Sequence, residues 1–263
     1  MGKRFLEESF NNIKADGQGI FIPYIMAGDG GLDNLLDQLT FLEQAGASAI
    51  EIGIPFSDPA ADGPVIQEAG KRALKDGTTL SGIFEVLKGG REQIGIPLIF
   101  MTYFNPVLQY GLQRFAEDCT KAGVDGLIIP DLPLEHADIL SPYLKEEGIA
   151  LVQLASLTSS KDRLKKIAEA TEGFLYAVTI NGTTGAVSEF QSSLKDHLQE
   201  LKTVCNVPVL AGFGISTPDH VREFIGITDG VVVGSKIIQH LQENKLDDIT
   251  NLIKAASDKT PVS

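Results

Sequence analysis

The stretch Ala49-Ile50-Glu51-Ile52-Gly53-Ile54, followed by Pro55-Phe56-Ser57-Asp58-Pro59-Ala60-Ala61-Asp62-Gly63-Pro64, decides the fold. It is a short run of isoleucines with one acid inside it. A loop of small and polar residues follows, then a proline where a helix can begin. Working outward, the same unit recurs along the whole chain. Apolar runs stand at residues 21–27, 49–54, 97–103, 126–130, 150–155, 175–180, 207–212 and 230–233, each trailed by Gly, Pro, Asp or Asn. Between them lie amphipathic patterns of helical period at 32–44, 112–122, 135–146, 161–170 and 194–204. Gly46, Gly123 and Gly148 fall just past three of these, where a left-handed C-cap residue belongs. Residues 78–92 read as an additional helix that ends at Gly89-Gly90.

Buried strands alternating with helices make a parallel sheet. Eight repeats in 263 residues favour a closed (β/α)₈ barrel over an open doubly wound sheet, because such a barrel needs about 250. No shift in composition marks a second domain, so residues 1–263 are expected to form one barrel domain. Residues 1–12 mix charges with Phe5, Leu6 and Phe10 and read as an extra amphipathic helix in front of the barrel, not a signal peptide.

The formal net charge of −13 argues against nucleic acid and anionic membranes as partners, since both need a basic face. A small phosphate remains open, because backbone N–H groups alone can hold one. Cys119 and Cys205 share no C-x-x-C spacing, so a disulfide framework is not expected and a cytoplasmic setting is. No stretch has the apolar length of a membrane span.

In a barrel of this kind, catalytic groups sit at the C-terminal ends of the strands. Alternation along the second run puts Ile50, Ile52 and Ile54 on one face and Ala49, Glu51 and Gly53 on the other. If the isoleucines pack against outer helices, Glu51 points into the barrel. Burial there raises a carboxyl pKa and makes an acid competent near neutral pH. The plainer reading, a structural ion pair, is weakened because none of the eight runs holds Lys or Arg. Asp62 hangs in the loop above Glu51; it could equally cap the helix that opens at Pro64.

The seventh run leads into Ala211-Gly212-Phe213-Gly214-Ile215-Ser216 and the eighth into Val233-Gly234-Ser235-Lys236. Loops after the last two strands often build a phosphate site, with glycines that let N–H groups approach and a helix N-terminus behind them. A Gly-x-Gly alone is often only a tight turn. Both pieces together, in this order, point to phosphate. The sixth run opens into Asn181-Gly182-Thr183-Thr184-Gly185, a loop of small residues suited to a lid. His136, His197, His220 and His240 all lie in or beside helical segments, with no metal-ligand spacing, so no metal is expected. No lysine stands on a strand for Schiff-base chemistry. What remains is acid–base work on a phosphorylated molecule.

These residues resemble one family over nearly the whole chain. Glu51-Ile52-Gly53-Ile54-Pro55-Phe56-Ser57-Asp58-Pro59 with Ala61-Asp62-Gly63-Pro64 is similar to the signature of the tryptophan synthase α subunit. Phe21-Ile22-Pro23-Tyr24, Met101-Thr102-Tyr103-Phe104-Asn105-Pro106, Pro130-Asp131-Leu132-Pro133 and Gly212-Phe213-Gly214-Ile215-Ser216 fit its pattern too. The resemblance implies retro-aldol cleavage of indole-3-glycerol phosphate to indole and glyceraldehyde 3-phosphate. It implies Glu51 as acid–base residue, Asp62 as acceptor for the indole N–H, and Tyr176 near the glycerol hydroxyls. It implies phosphate contacts from Gly185, Gly212, Phe213, Gly214, Gly234 and Ser235, an indole pocket lined by Tyr24, Met101 and Ile128, and Thr184 in the lid. Tyr24 stands where the family commonly has Phe, and Thr179 where Ser is usual. The implied partner is a β subunit that uses pyridoxal phosphate, in an α2β2 complex; the α chain itself is expected to need no cofactor. The loops after the second, third and sixth strands, including Asp58, Pro59, Asn105 and Pro106, are expected on that contact face. Three other readings stay open: a stand-alone lyase releasing free indole, a non-catalytic regulatory subunit that only binds the phosphate ligand, and a sugar-phosphate isomerase.

Overall fold

The computed structural model describes residues 1–156, 158–178, 187–212 and 214–257; within 187–196 the side chain of residue 195 alone is described. In chain order the elements are α1 (Lys3–Ala15), β1 (Ile20–Met26), α2 (Leu35–Gln44), β2 (Ile50–Gly53), α3 (Pro64–Lys75), α4 (Leu80–Gly90), β3 (Leu98–Met101), α5 (Phe104–Tyr110), α6 (Leu112–Lys121) and β4 (Gly126–Ile128). There follow α7 (Ser141–Glu146), β5 (Ala150–Ser156), α8 (Lys161–Ala170), β6 (Leu175–Val178), α9 (Val187–Val204), β7 (Val209–Gly212), α10 (Pro218–Ile225), β8 (Gly230–Val233), α11 (Ser235–Gln242) and α12 (Leu246–Lys254). The strands pair in parallel in the order β1 to β8, and β8 closes on β1 through Ile20↔Gly230 to Pro23↔Val233. The expected barrel is therefore present.

Alternation sorts each strand into two layers. Ile50, Ile52 and Ile54 face outward and pack with Leu35, Leu39 and Leu42 of α2. The inward layer gathers Ile20, Ile22, Ala49, Ile99, Ile128, Val152, Leu210 and Val232. Leu6 and Phe10 of α1 join that inner cluster, and Phe10 meets Phe174 edge-on with ring centroids 6.0 Å apart. The N-terminal helix thus plugs the bottom of the barrel. It is fastened by Gly2 N, which donates to the buried Asp125 carboxylate, and by Lys3 N, which donates to Gly148 O at 2.6 Å. Arg91, itself buried, satisfies the other side of Asp125 at 3.1 Å. This closes off the end of the barrel opposite the C-terminal ends of the strands.

Three expectations need correction. The helix read over 135–146 is broken into a 3₁₀ turn, Leu134–Ile139, and α7. Pro142 is the cause: it has no N–H to continue a helix from upstream and fits only a first turn. The helix read from residue 32 begins as a 3₁₀ turn, Leu32–Asn34, before α2. The segment after β3, read as loop, contains α5, with Pro106 placed in its first turn where its missing N–H costs nothing.

Candidate active site

Glu51 is the second residue of β2 and stands in register with Tyr24 on β1 and Ile99 on β3. It is 1% exposed, and among the described residues neither carboxylate oxygen has a hydrogen-bond partner. Among the described residues no Lys or Arg pairs with it, so the ion-pair reading is not supported. An ionised carboxylate in that setting is costly. Burial, with a smaller push from the charge of Asp62, raises its pKa to about 8. At neutral pH Glu51 is a carboxylic acid with a proton to give.

Asp62 lies in the loop between β2 and α3. Its pKa is raised to about 6: burial dominates, and the nearby Tyr103 hydroxyl pulls the other way. Its Oδ1 is buried with no partner among the described residues. It is not the cap of α3, because Gly63 occupies that position and no side chain caps it. Glu51 and Asp62 interact, so about 6 and about 8 belong to the pair. Between those values the pair holds one proton and one charge, and the deeper burial of Glu51 favours the proton there.

Two tyrosines complete the polar group. Burial, Asp62 and Glu51 together push the Tyr24 phenol far up, and burial, Glu51 and Asp62 do the same to Tyr176. Both stay neutral at any working pH. Tyr24 lies against Gly53: a Cβ there would lie 1.9 Å from its hydroxyl. Tyr176 covers Gly212 in the same way, its ring 2.0 Å from where a Cβ would stand. These two glycines are small because the tyrosines occupy their side-chain space.

The strand ends expected to hold phosphate converge on the same mouth. Gly212 ends β7 and pairs with Val178 of β6. Gly234 precedes α11, and its missing side chain faces Tyr24 Cβ and Ile66 Cδ1 at 3.5 Å. Ser235 is the exposed first residue of α11, and Gly214 is exposed with open space at its Cβ position. Met101 is half-buried and touches both the inner cluster and the cluster around Tyr24; Ile128, beside it in register, is fully buried beneath. Phe213, Thr184 and Gly185, together with Thr179, lie outside the described residues. Asp58 and Asn105 are exposed, and Pro59 and Pro106 half-buried, in the segments after β2 and β3. Among the described residues no three of His, Cys, Asp or Glu converge in a metal-binding group. Tyr103 has a place here that sequence reasoning did not give it. The residue was quoted in a family pattern, but its contact with the Asp62 loop, 41 positions upstream of it, is set by the β2–β3 pairing.

A closed parallel barrel with a neutral buried acid and a second carboxylate at its C-terminal mouth defines a class, the (β/α)₈ enzymes of acid–base chemistry. Comparison with known proteins gives the family. Residues 10–261 match the family model described as Tryptophan synthase alpha chain. The tryptophan synthase alpha chain of Bacillus anthracis is 51% identical over 259 residues, covering 98% of this chain and 99% of that one. A solved alpha chain from Legionella pneumophila subsp. pneumophila is 30% identical with TM-score 0.88, covering 100% of both chains. A tryptophan synthase structure from Mycobacterium tuberculosis is 30% identical with TM-score 0.89, covering 98% of this chain and 99% of that one. The chain belongs to the tryptophan synthase alpha chain family. It is a lyase of the α reaction, the cleavage of indole-3-glycerol phosphate in tryptophan biosynthesis.

Proposed function

We propose that Glu51 and Asp62 carry out this cleavage as an acid and a charge stabiliser. Glu51 delivers its proton to indole C3. Positive charge then grows at the indole nitrogen, and Asp62 accepts a hydrogen bond from that N–H. The bond from C3 to the glycerol carbon breaks, its electrons restore the indole ring, and the adjacent hydroxyl becomes an aldehyde as it loses its proton. The Glu51 carboxylate, now ionised, takes that proton back, so the chain ends as it began. Tyr176 orients the glycerol hydroxyls. Backbone N–H groups at Gly185, Gly212, Phe213, Gly214, Gly234 and Ser235 hold the phosphate, and Tyr24, Met101 and Ile128 bound the indole pocket, with Thr184 in the lid. The observation that carries this reading is the split protonation of the pair, about 8 at Glu51 and about 6 at Asp62, which suits a donor and an acceptor at one pH.

The chain works as one barrel domain, in the cytoplasm, as the α half of an α2β2 complex. The partner β subunit supplies pyridoxal phosphate for its own step; the α reaction uses only side chains and backbone of this chain. The contact face is formed by the segments after β2, β3 and β6, including Asp58, Pro59, Asn105 and Pro106. A partner that favours one arrangement of these loops activates the lyase by its differential affinity, by roughly 30- to 150-fold for a coupling of about 2–3 kcal/mol. The test is indole formation from indole-3-glycerol phosphate with rising β subunit. Turnover that climbs and saturates supports the complex; a flat titration, with binding demonstrated, supports the stand-alone lyase instead.

A further inference from the structure

Tyr103 follows β3 by two residues and is 4% exposed. Its backbone is held on both sides: Thr102 N donates to Ile128 O at 3.0 Å, and Phe104 N donates to the Asp131 carboxylate at 2.8 Å. From that fixed post its side chain reaches into the loop between β2 and α3 at two places. Its ring lies against Phe56, with centroids 5.3 Å apart and planes inclined by 30°. Its hydroxyl accepts a hydrogen bond from Ala61 N at 3.0 Å. A phenol has one proton, and with the oxygen already accepting from the amide next to Asp62, that proton is free to act on the neighbouring carboxylate, whose pKa Tyr103 lowers. The loop has no large apolar anchor of its own over residues 57–63, so it borrows one from β3.

We propose that Tyr103 is the positioning residue for Asp62: its hydroxyl bridges the Ala61 amide and the Asp62 carboxylate, fixing the loop and aiming the other Asp62 oxygen into the site. The proposal rests on the role given to Asp62 above. Oδ1 is the oxygen left over, buried and without a partner among the described residues. The hydrogen bond also favours the ionised form, against a burial that opposes it. Burial and the charge of Asp62 hold the phenol itself protonated, so Tyr103 stays a donor throughout the working range.

Tyr103→Phe removes the bridge and keeps the ring on Phe56. Two readouts separate the possibilities: the titration of the Asp62 carboxyl carbon by NMR in the free protein, and the acid limb of kcat/KM against pH. The Asp62 titration should move up by about one pH unit, and the acid limb with it, lowering kcat/KM about fivefold at pH 6 and about twofold at pH 7. An Asp62 titration that stays in place overturns the proposal. A titration that moves while the limb does not leaves Tyr103 in its role and overturns the catalytic role of Asp62. Should Tyr103→Phe fail to fold, 3-fluorotyrosine installed at position 103 keeps the bridge with a stronger donor and should move the titration downward; an unmoved or upward titration there contradicts the proposal.

Discussion

Glu51 keeps its proton because burial disfavours the charged form and no partner among the described residues offsets it. Two expectations follow at the scale of the residue. The first concerns rate. Asp62 must be ionised and Glu51 protonated, so kcat/KM should rise through about pH 6, fall through about pH 8 and peak between them; a pH–rate profile checks this, and a rise continuing past pH 9 contradicts it. The second concerns stability. The folded pKa of Glu51 lies above its ordinary 4.5, so its contribution to stability is whole below about 4.5 and is lost as pH rises toward and through about 8. Glu51→Gln has no carboxyl to ionise in the unfolded chain. It should therefore be more stable than the wild type at pH 7.5, on the order of 4 kcal/mol, with the difference closing near pH 4.5. Urea melts at the two pH values measure it. The inward orientation of Glu51 was legible from three isoleucines at alternate positions, since the period of a strand is two. The Tyr103–Asp62 contact was not, because period and spacing describe one segment and that contact joins two.

At the scale of the element, the strands were legible nearly to their ends, and β8 at both its bounds, because eight short apolar runs bounded by turn residues leave little choice. Helix starts were less so. Pro142 splits one pattern, and the 3₁₀ entry to α2 leaves the apolar period unchanged, so periodicity could not register either feature. The strand-end glycines divide by what fills their side-chain space. Gly53 and Gly212 are covered by tyrosine rings, whereas Gly214 faces open space with φ +20°. A residue with open space at the proposed phosphate end is where bulk should exclude an anion. Gly214→Val is expected to raise KM with a smaller effect on kcat. Inorganic phosphate should protect the wild type against heat more than this variant, by the linkage between binding and stability; equal protection would count against the phosphate site.

At the scale of the whole molecule, the barrel separates its two ends. The bottom is closed by α1, and its role there could not be read from the sequence, since an amphipathic pattern shows that a helix buries one face and not which cavity receives it. Phe10→Ala should cost about 3–5 kcal/mol in urea unfolding, a buried aromatic being removed from a closed interior, while kcat per folded molecule holds. A loss of kcat without loss of stability would mean that the two ends are coupled. The top carries the acids, two tyrosines and the glycine-bearing strand ends, all drawn from β1, β2, β6, β7 and β8 and the loop after β2, so the site exists only when the barrel closes. The most direct test of the central claim, that a neutral Glu51 supplies the proton that breaks the substrate, is single-turnover cleavage of indole-3-glycerol phosphate by Glu51→Gln beside the wild type at pH 7. Substrate should still bind, and indole formation should fall by at least ~10²–10⁴-fold; indole formed by the variant at the wild-type rate would contradict the account.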